Sequence, residues 1–279
     1  MKKGIAVFLA CLLVLGALSG CGSRKAPEPP TAASLLKEAA EKQAAADSAA
    51  GTVQGKMALA TKQSGIKMEI KMDLDLDFEA MRAPIAVHAG GNIGLSLLGM
   101  DADLPMELYA LEEDGELAAY IKVMDSWMQQ RTAKPAETQT ANMDSILALT
   151  GAIMDTAVLQ EATEEIRGVQ AYRIDGTITG EMLQPILAEA ASSGELSSDA
   201  LSLLDDLQLE ATMWLDTETG LPLREEVRLA SPWELRNEAS FSALDLLIDF
   251  TGFGTVSGVT VPPEAKDAPQ VDSVLESLF

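Results

Sequence analysis

Asp73, Asp75 and Asp77 form the densest set of candidate ligands in the chain. Calcium needs six to eight oxygens converging from a loop, and no D-x-D-x-D-G loop occurs here. On a strand, alternate side chains project in parallel at a spacing of roughly 7 Å, so a solvated strand face is expected in place of a metal site. His88 is the only histidine and has no thiol partner for a metal cluster, so an incidental role is expected. Ser34-Leu-Leu-Lys37 and Ser64-Gly-Ile-Lys67 both match S-x-x-K, a nucleophile–base spacing, but neither is accompanied by S-D-N or K-T-G. No G-x-S-x-G, H-E-x-x-H, P-loop or dinucleotide fingerprint is present. The expectation is a protein without enzymatic activity, metal or cofactor.

Cys21 offers chemistry of another kind. It follows Leu18-Ser19-Gly20, an aliphatic residue and two small ones, which is the bacterial lipobox pattern. In that pattern the thiol receives a diacylglycerol and the cysteine becomes the first residue of the mature chain. Lys2 and Lys3 precede a short apolar run over residues 5–20, too short for a spanning helix of about 20 residues. Residues 1–20 are therefore expected to be a lipoprotein signal peptide. The protein would be extracytoplasmic and lipid-anchored, on the outer face of a Gram-positive cell membrane. The competing reading is an ordinary secretory signal with a chance cysteine. Cys11 lies inside the signal, so the mature chain would have no disulfide and must rest on its core alone.

Charge narrows the partners. The chain has 20 basic and 43 acidic residues, a net −23. That balance excludes a basic nucleic-acid face and disfavours attraction to anionic headgroups. The remaining partners are the membrane, reached through the Cys21 lipid, and a lipid or acyl-chain ligand; no protein partner can be read.

The elements must then position something apolar. Residues 67–79 alternate without a break: Met68, Ile70, Met72, Leu74, Leu76 and Phe78 share one face, and charged residues fill the other. A period of two predicts a β-strand of roughly 43 Å, half in water and half against apolar matter. Residues 22–31 are Pro-rich and predict a tether. Residues 32–50 predict a helix, with Leu35, Leu36, Ala39, Ala40, Gln43 and Ala46 in helical spacing and Gly51 as its stop. Strands are expected over 52–61, 67–79, 84–97, 104–110 and 117–123, the last running on toward Trp127. Ile85, Val87, Ile93, Leu95 and Leu97 share a face of the third, and Met106 and Leu108 a face of the fourth. Gly90-Gly91 and Gly94 predict a bulge or bend.

Further on, residues 142–157 and 180–191 predict helices, and 199–204 a helical turn. Residues 159–166 and 169–179 predict a hairpin across Arg167-Gly168. Residues 207–215, with Met213 inward, 221–229 and a stretch of 237–253 predict strands. Residues 259–263 close the fold, and 269–279 form a tail or short helix. The architecture is α+β, with one domain over 32–268 built on an antiparallel sheet. Trp127, Trp214 and Trp233 are too far apart in sequence to suggest a stacking platform.

This order resembles the LolA/LppX-like half-barrel lipoproteins, and most nearly uncharacterised Gram-positive lipoproteins of that architecture. The resemblance rests on the lipobox followed by LLKEAAEKQAAADSAAG (35–51), on Tyr120-Ile-Lys122 followed by Trp127, and on the hairpin Ile166-Arg-Gly168-Val-Gln-Ala-Tyr172. It rests also on Trp214-Leu-Asp-Thr-Glu-Thr-Gly220-Leu-Pro-Leu-Arg224 and the ending Val261-Pro-Pro-Glu264. It implies a strongly curved antiparallel sheet covering a few helices on its concave face. It also implies an apolar cavity between them that takes acyl chains, and it brings no catalytic residues. Met68, Ile70, Met72, Leu74, Leu76, Phe78, Ile85, Val87, Ile93, Leu95, Leu97, Met106, Leu108 and Met213 are the candidates to line it. Methionine is flexible and polarisable, which suits varied apolar partners. A sheet packed on its own helices would use the same stripes, so two readings stand: a lipid-binding lipoprotein, or a non-enzymatic envelope interaction or sensory module with a self-filled core.

Overall fold

The computed structural model describes residues 29–63, 66–133, 153, 156–183, 206–235 and 239–271. The chain divides into residues 1–31 and a compact unit over 32–279. Cys21, the signal, the tether up to residue 28, most of the helices expected over 142–157 and 180–191, the turn over 199–204 and the last eight residues lie outside the described residues.

Helix α1 (Ala32–Ala45) opens the compact unit. Its buried residues are Ala32, Leu35, Leu36, Ala39 and Gln43, a three-to-four spacing that makes one stripe. Strands follow in long antiparallel succession: β1 (Ser48–Gln63), β2 (Ile66–Met81), β3 (Ala86–Leu97), β4 (Met100–Glu113), β5 (Glu116–Val123) and β6 (Ser126–Ala133). Then come β7 (Val158–Leu159), β8 (Glu164–Ile166), β9 (Val169–Thr179), β10 (Gln208–Asp216), β11 (Pro222–Leu229), β12 (Trp233–Leu235) and β13 (Ala239–Phe253). The short helix α2 (Pro263–Lys266) lies near the end.

All the named strands join one open, curved sheet in the order β6-β5-β4-β3-β2-β1-β13-β11-β10-β9-β7, with β12 on β13 and β8 on β9. Its strand pairs are antiparallel, as hairpin connections allow. β13 closes the order by lying between β1 and β11.

Three expectations change. The helix ends at Ala45, and Gly51 lies inside β1. A Cβ at Gly51 would stand 2.2 Å from the Asp249 carbonyl oxygen and 2.9 Å from the Phe78 ring, so glycine there permits close approach between strands and stops no helix. The β2–β3 register runs unbroken through Gly90, Gly91 and Gly94, so these glycines make no bulge. The register shifts fall elsewhere, at Ala50/Gly51 and Ala58/Leu59 against β13 and at Trp214/Leu215 against β11. The strand expected to run on toward Trp127 turns at Met124, whose φ is +55°, and returns as β6.

One core joins α1 to one end of the sheet. Leu35, Leu36 and Ala39 pack with Ile174, Ile178, Leu209, Ala211, Met213 and Leu215, and Ile153 joins them. A Cβ at Gly176 would meet Ile153 Cγ2 at 2.3 Å, so the glycine is the notch that seats Ile153. A second cluster lies on the polar face at the other end. There the chain after β13 crosses β4–β6, placing Val261 and Ala265 on Tyr109, Ala118, Tyr120 and, at its margin, Trp127. Gln129 N donates to Pro269 O at 3.0 Å and Val271 N to Gln129 O at 2.8 Å, which ties this strap to edge strand β6.

Glu113 anchors the strap. It accepts from Tyr120 Oη at 2.8 Å and Arg131 Nη2 at 3.1 Å and pairs with Lys266 at 3.5 Å. Burial pushes its carboxyl up, but the Tyr120 hydroxyl, Lys266 and Arg131 together hold it below its ordinary value of 4.5. A lowered carboxyl contributes stability above its unfolded value and loses it as pH falls through the folded one. Hydrogen exchange at Gln129 and Val271 should therefore speed up as pH falls below the ordinary carboxyl value of 4.5, after correction for intrinsic exchange. Glu113→Gln should abolish that acid dependence, and an unchanged profile would remove Glu113 as the anchor.

Candidate functional site

β2 splits as its alternation predicts: Glu69, Lys71, Asp73, Asp75, Asp77 and Glu79 are exposed on the polar face. The register carries the opposite face across the sheet. One cross-strand row runs Ile174 (β9), Met213 (β10), Glu225 (β11), Ile248 (β13), Val53 (β1), Leu76 (β2), Gly91 (β3), Met106 (β4) and Val123 (β5). Neighbouring rows align Leu74 with Gly55, Leu246 and Ile93, Met72 with Met57 and Leu95, and Ile70 with Leu97. Eight of the nine strands thus place an apolar residue or glycine in the central row.

Burial divides this face in two. Under α1, Ile174 and Met213 are buried. From Ile248 onward, Val53, Leu76 and Met106 are only half-buried, as are Met68, Met72, Leu74, Phe78, Val87, Ile93 and Leu108. Ile70, Leu95 and Leu97 are 37, 36 and 39% exposed, and the adjoining β3–β4 turn and the first residue of β4 carry Leu98 and Met100 in the open. Two of the expected lining residues stand apart. Met213 belongs to the closed core with Leu36, and Ile85 lies in the turn before β3. The others share the half-buried expanse.

Glycine shapes the floor of that expanse. A Cβ at Gly91 would stand 2.0 Å from the Asp75 carbonyl oxygen, so β2 and β3 sit as they do only without a side chain there. Phe78 meets Phe250 edge-on at 6.2 Å, and Phe250 stacks on Phe253 at 5.0 Å, which makes an aromatic end wall.

Glu225 is the ionisable side chain in the central row. It is 6% exposed and faces Gln43 of α1, itself 9% exposed. Gln43 donates to the Glu225 carboxyl, yet Oε1 of Glu225 and Oε1 of Gln43 have no hydrogen-bond partner. Burial pushes the Glu225 carboxyl up to about 7, and the hydrogen bond from Gln43 only partly opposes it. The sequence carries a signal for this residue: Val227 and Leu229 follow it at alternate positions and pack on the core under α1, and Glu225 takes the position beside them where an apolar residue belongs. Gln43 likewise continues the apolar stripe of α1.

The polar face differs. A groove of about 780 Å³ lies there, lined by Lys56, Asp73, Asp75, Asp103, Arg228 and Asp245 among others. Arg228, Asp245, Lys56 and Asp73 alternate in sign across four strands, a ladder of opposite charges that stabilises a solvated sheet. Among the described residues no group of three or more acidic, histidine or cysteine side chains could hold a metal ion. His88 stacks on Tyr109 at 4.5 Å, with Nε2 3.6 Å from Glu107, beside the strap. Trp127 joins the strap cluster, Trp214 donates to Glu164 at 2.8 Å and Trp233 stacks on Phe241 at 5.4 Å, three separate packing roles. No helix among the described residues is long and apolar enough to cross a membrane.

A large open antiparallel sheet, polar on one face, apolar on the other and capped at one end by an amphipathic helix, defines an α+β protein built around a single apolar surface. The chain belongs to DUF6612, a family of unknown function, which it matches over residues 31–270. No curated protein matches the sequence. Among solved structures it is similar to LprF from Mycobacterium bovis, with 14% identity, 84% of this chain and 96% of that one covered, and a TM-score of 0.47. It is similar also to the Mycobacterium tuberculosis lipoprotein LppX, with 13% identity, 82% and 97% covered, and a TM-score of 0.40. A LolA superfamily protein from Nitrosomonas europaea follows at 10% identity, 84% and 96% covered, and a TM-score of 0.22. Scores of this size leave the ligand question to the residues of this chain.

Proposed function

We propose that this chain is an extracytoplasmic lipoprotein, held to the cell membrane by a lipid on Cys21, that binds a lipid or other apolar ligand without chemical conversion. The ligand lies on the apolar face of the sheet, in a cavity closed by helices. The observation that supports this is the division of that face. The same continuous apolar rows are buried beneath α1 and only half-buried from β13 to β4. A contiguous apolar face left partly open commonly marks a ligand or interaction site. Apolar burial supplies about 25 cal/mol per Å² before ordering costs, so an acyl chain laid along Met72, Leu74 and Leu76 needs no polar contact to be held. Lipid attachment at Cys21 follows from the lipobox, and the Pro-rich residues after it supply reach.

The test uses the mature chain from residue 21 with Cys21→Ser, purified without detergent. Native mass spectrometry and solvent extraction should find lipid at near one copy per chain, and the stripped protein should take up a fluorescent fatty acid. A stripped protein that takes up no apolar probe, and whose melting temperature no lipid shifts, would favour the interaction module with a self-filled core.

A further inference from the structure

We infer that Glu225 and Gln43 form the polar end of the apolar site and receive a hydroxyl-bearing acyl lipid of the monoacylglycerol kind, in preference to a free fatty-acid anion. The inference rests on the ligand reading above and names the ligand's class. Three observations carry it. Glu225 stands where the covered part of the apolar face meets the half-buried part, between Met213 and Ile248. Gln43 faces it from the last turn of α1. Both side chains are more than nine-tenths buried, and each keeps an oxygen without a partner.

Buried polar atoms in folded proteins are almost always paired, so two adjacent orphan acceptors mark a place where a donor is missing. The amide of Gln43 already donates to the carboxyl. What the pair lacks is an O–H or N–H from outside. Adjacent hydroxyls on a glycerol end supply two donors to two oxygens. A carboxylate supplies none and sets a second anion or acceptor against Glu225. An ammonium would bring a second charge out of water into the buried site, at far greater cost than a hydroxyl. A neutral hydroxyl head therefore suits this site best, with its acyl chain running from Ile248 toward Leu76.

The mature chain with Cys21→Ser, stripped of lipid, is titrated at pH 8 with monoolein, oleate and methyl oleate, which share one acyl chain. Monoolein should bind at least about tenfold more tightly than the other two. Glu225→Leu and Gln43→Leu should each bring monoolein down to the level of methyl oleate. Methyl oleate, having no donor, should bind both variants as it binds the parent, which shows that the apolar site is intact. Equal affinity for all three probes, or monoolein binding indifferent to Glu225→Leu, overturns the inference and leaves the ligand reading standing; an acid–amide pair closed on itself gives that result. Failure of all three probes to bind overturns both.

Discussion

Glu225→Gln should make the protein more stable at pH 8 by about 3 kcal/mol, as measured by urea unfolding. The parent carries a carboxyl whose pKa rises from an ordinary 4.5 to about 7 on folding. Below about 4.5 the group is protonated in both states and contributes no pH dependence. Between 4.5 and 7 the unfolded chain ionises while the folded one stays protonated, so stability falls as pH rises. Above 7 both states are ionised and the cost of a buried charge is fully present, about 1.4 kcal/mol for each unit separating the two values. The amide has no charge to bury, so the variant's unfolding profile between pH 5 and 8 should lose this slope. A parent and variant with parallel profiles would show that Glu225 is solvated or paired in the folded state.

Gly91→Val should be the most damaging single change on the apolar face. Its Cβ would stand 2.0 Å from a backbone carbonyl and 2.9 Å from Leu76 Cα, atoms that no rotamer change can move. Overpacking typically costs 1–3 kcal/mol, and here β2 and β3 must part along a paired ladder, so a loss of about 3 kcal/mol or more is expected. Gly258→Ala is the control. Nothing lies within 4 Å of a Cβ there, and the change should be neutral within about 0.5 kcal/mol. A Gly91→Val chain as stable as the control would mean that the two strands can separate there without cost.

These two residues show what local pattern can carry. Residues 67–79 announced their strand and both of its faces, because alternation is a local signal and water enforces it at every second residue. The stripe of α1 was equally plain, and Gln43 sat visibly within it. The roles of Gly51 and Gly91 were hidden, because a glycine that ends a helix, makes a bulge or admits a neighbouring backbone looks the same in sequence. Only the approach of Asp249 and Asp75 tells these cases apart. The strap across Tyr109 and Tyr120 was hidden for a related reason: two aromatic residues on a nominally polar face are paired with a segment more than a hundred residues later.

By itself, then, the sequence determined the local matters: the run Leu18-Ser19-Gly20-Cys21, an acidic chain, long half-apolar strands, one amphipathic helix and the absence of any recognised catalytic motif. Each is a statement about neighbours in the chain, where spacing alone sets the physics. The tertiary structure decided which part of the apolar face is covered. It set α1 over β9–β11, left Met72, Leu74 and Leu76 half-buried, and brought Gln43 against Glu225 from the far end of the chain. Alternation says which side chains leave water together. What they meet there depends on contacts between distant segments, and those form only when the whole sheet closes its register.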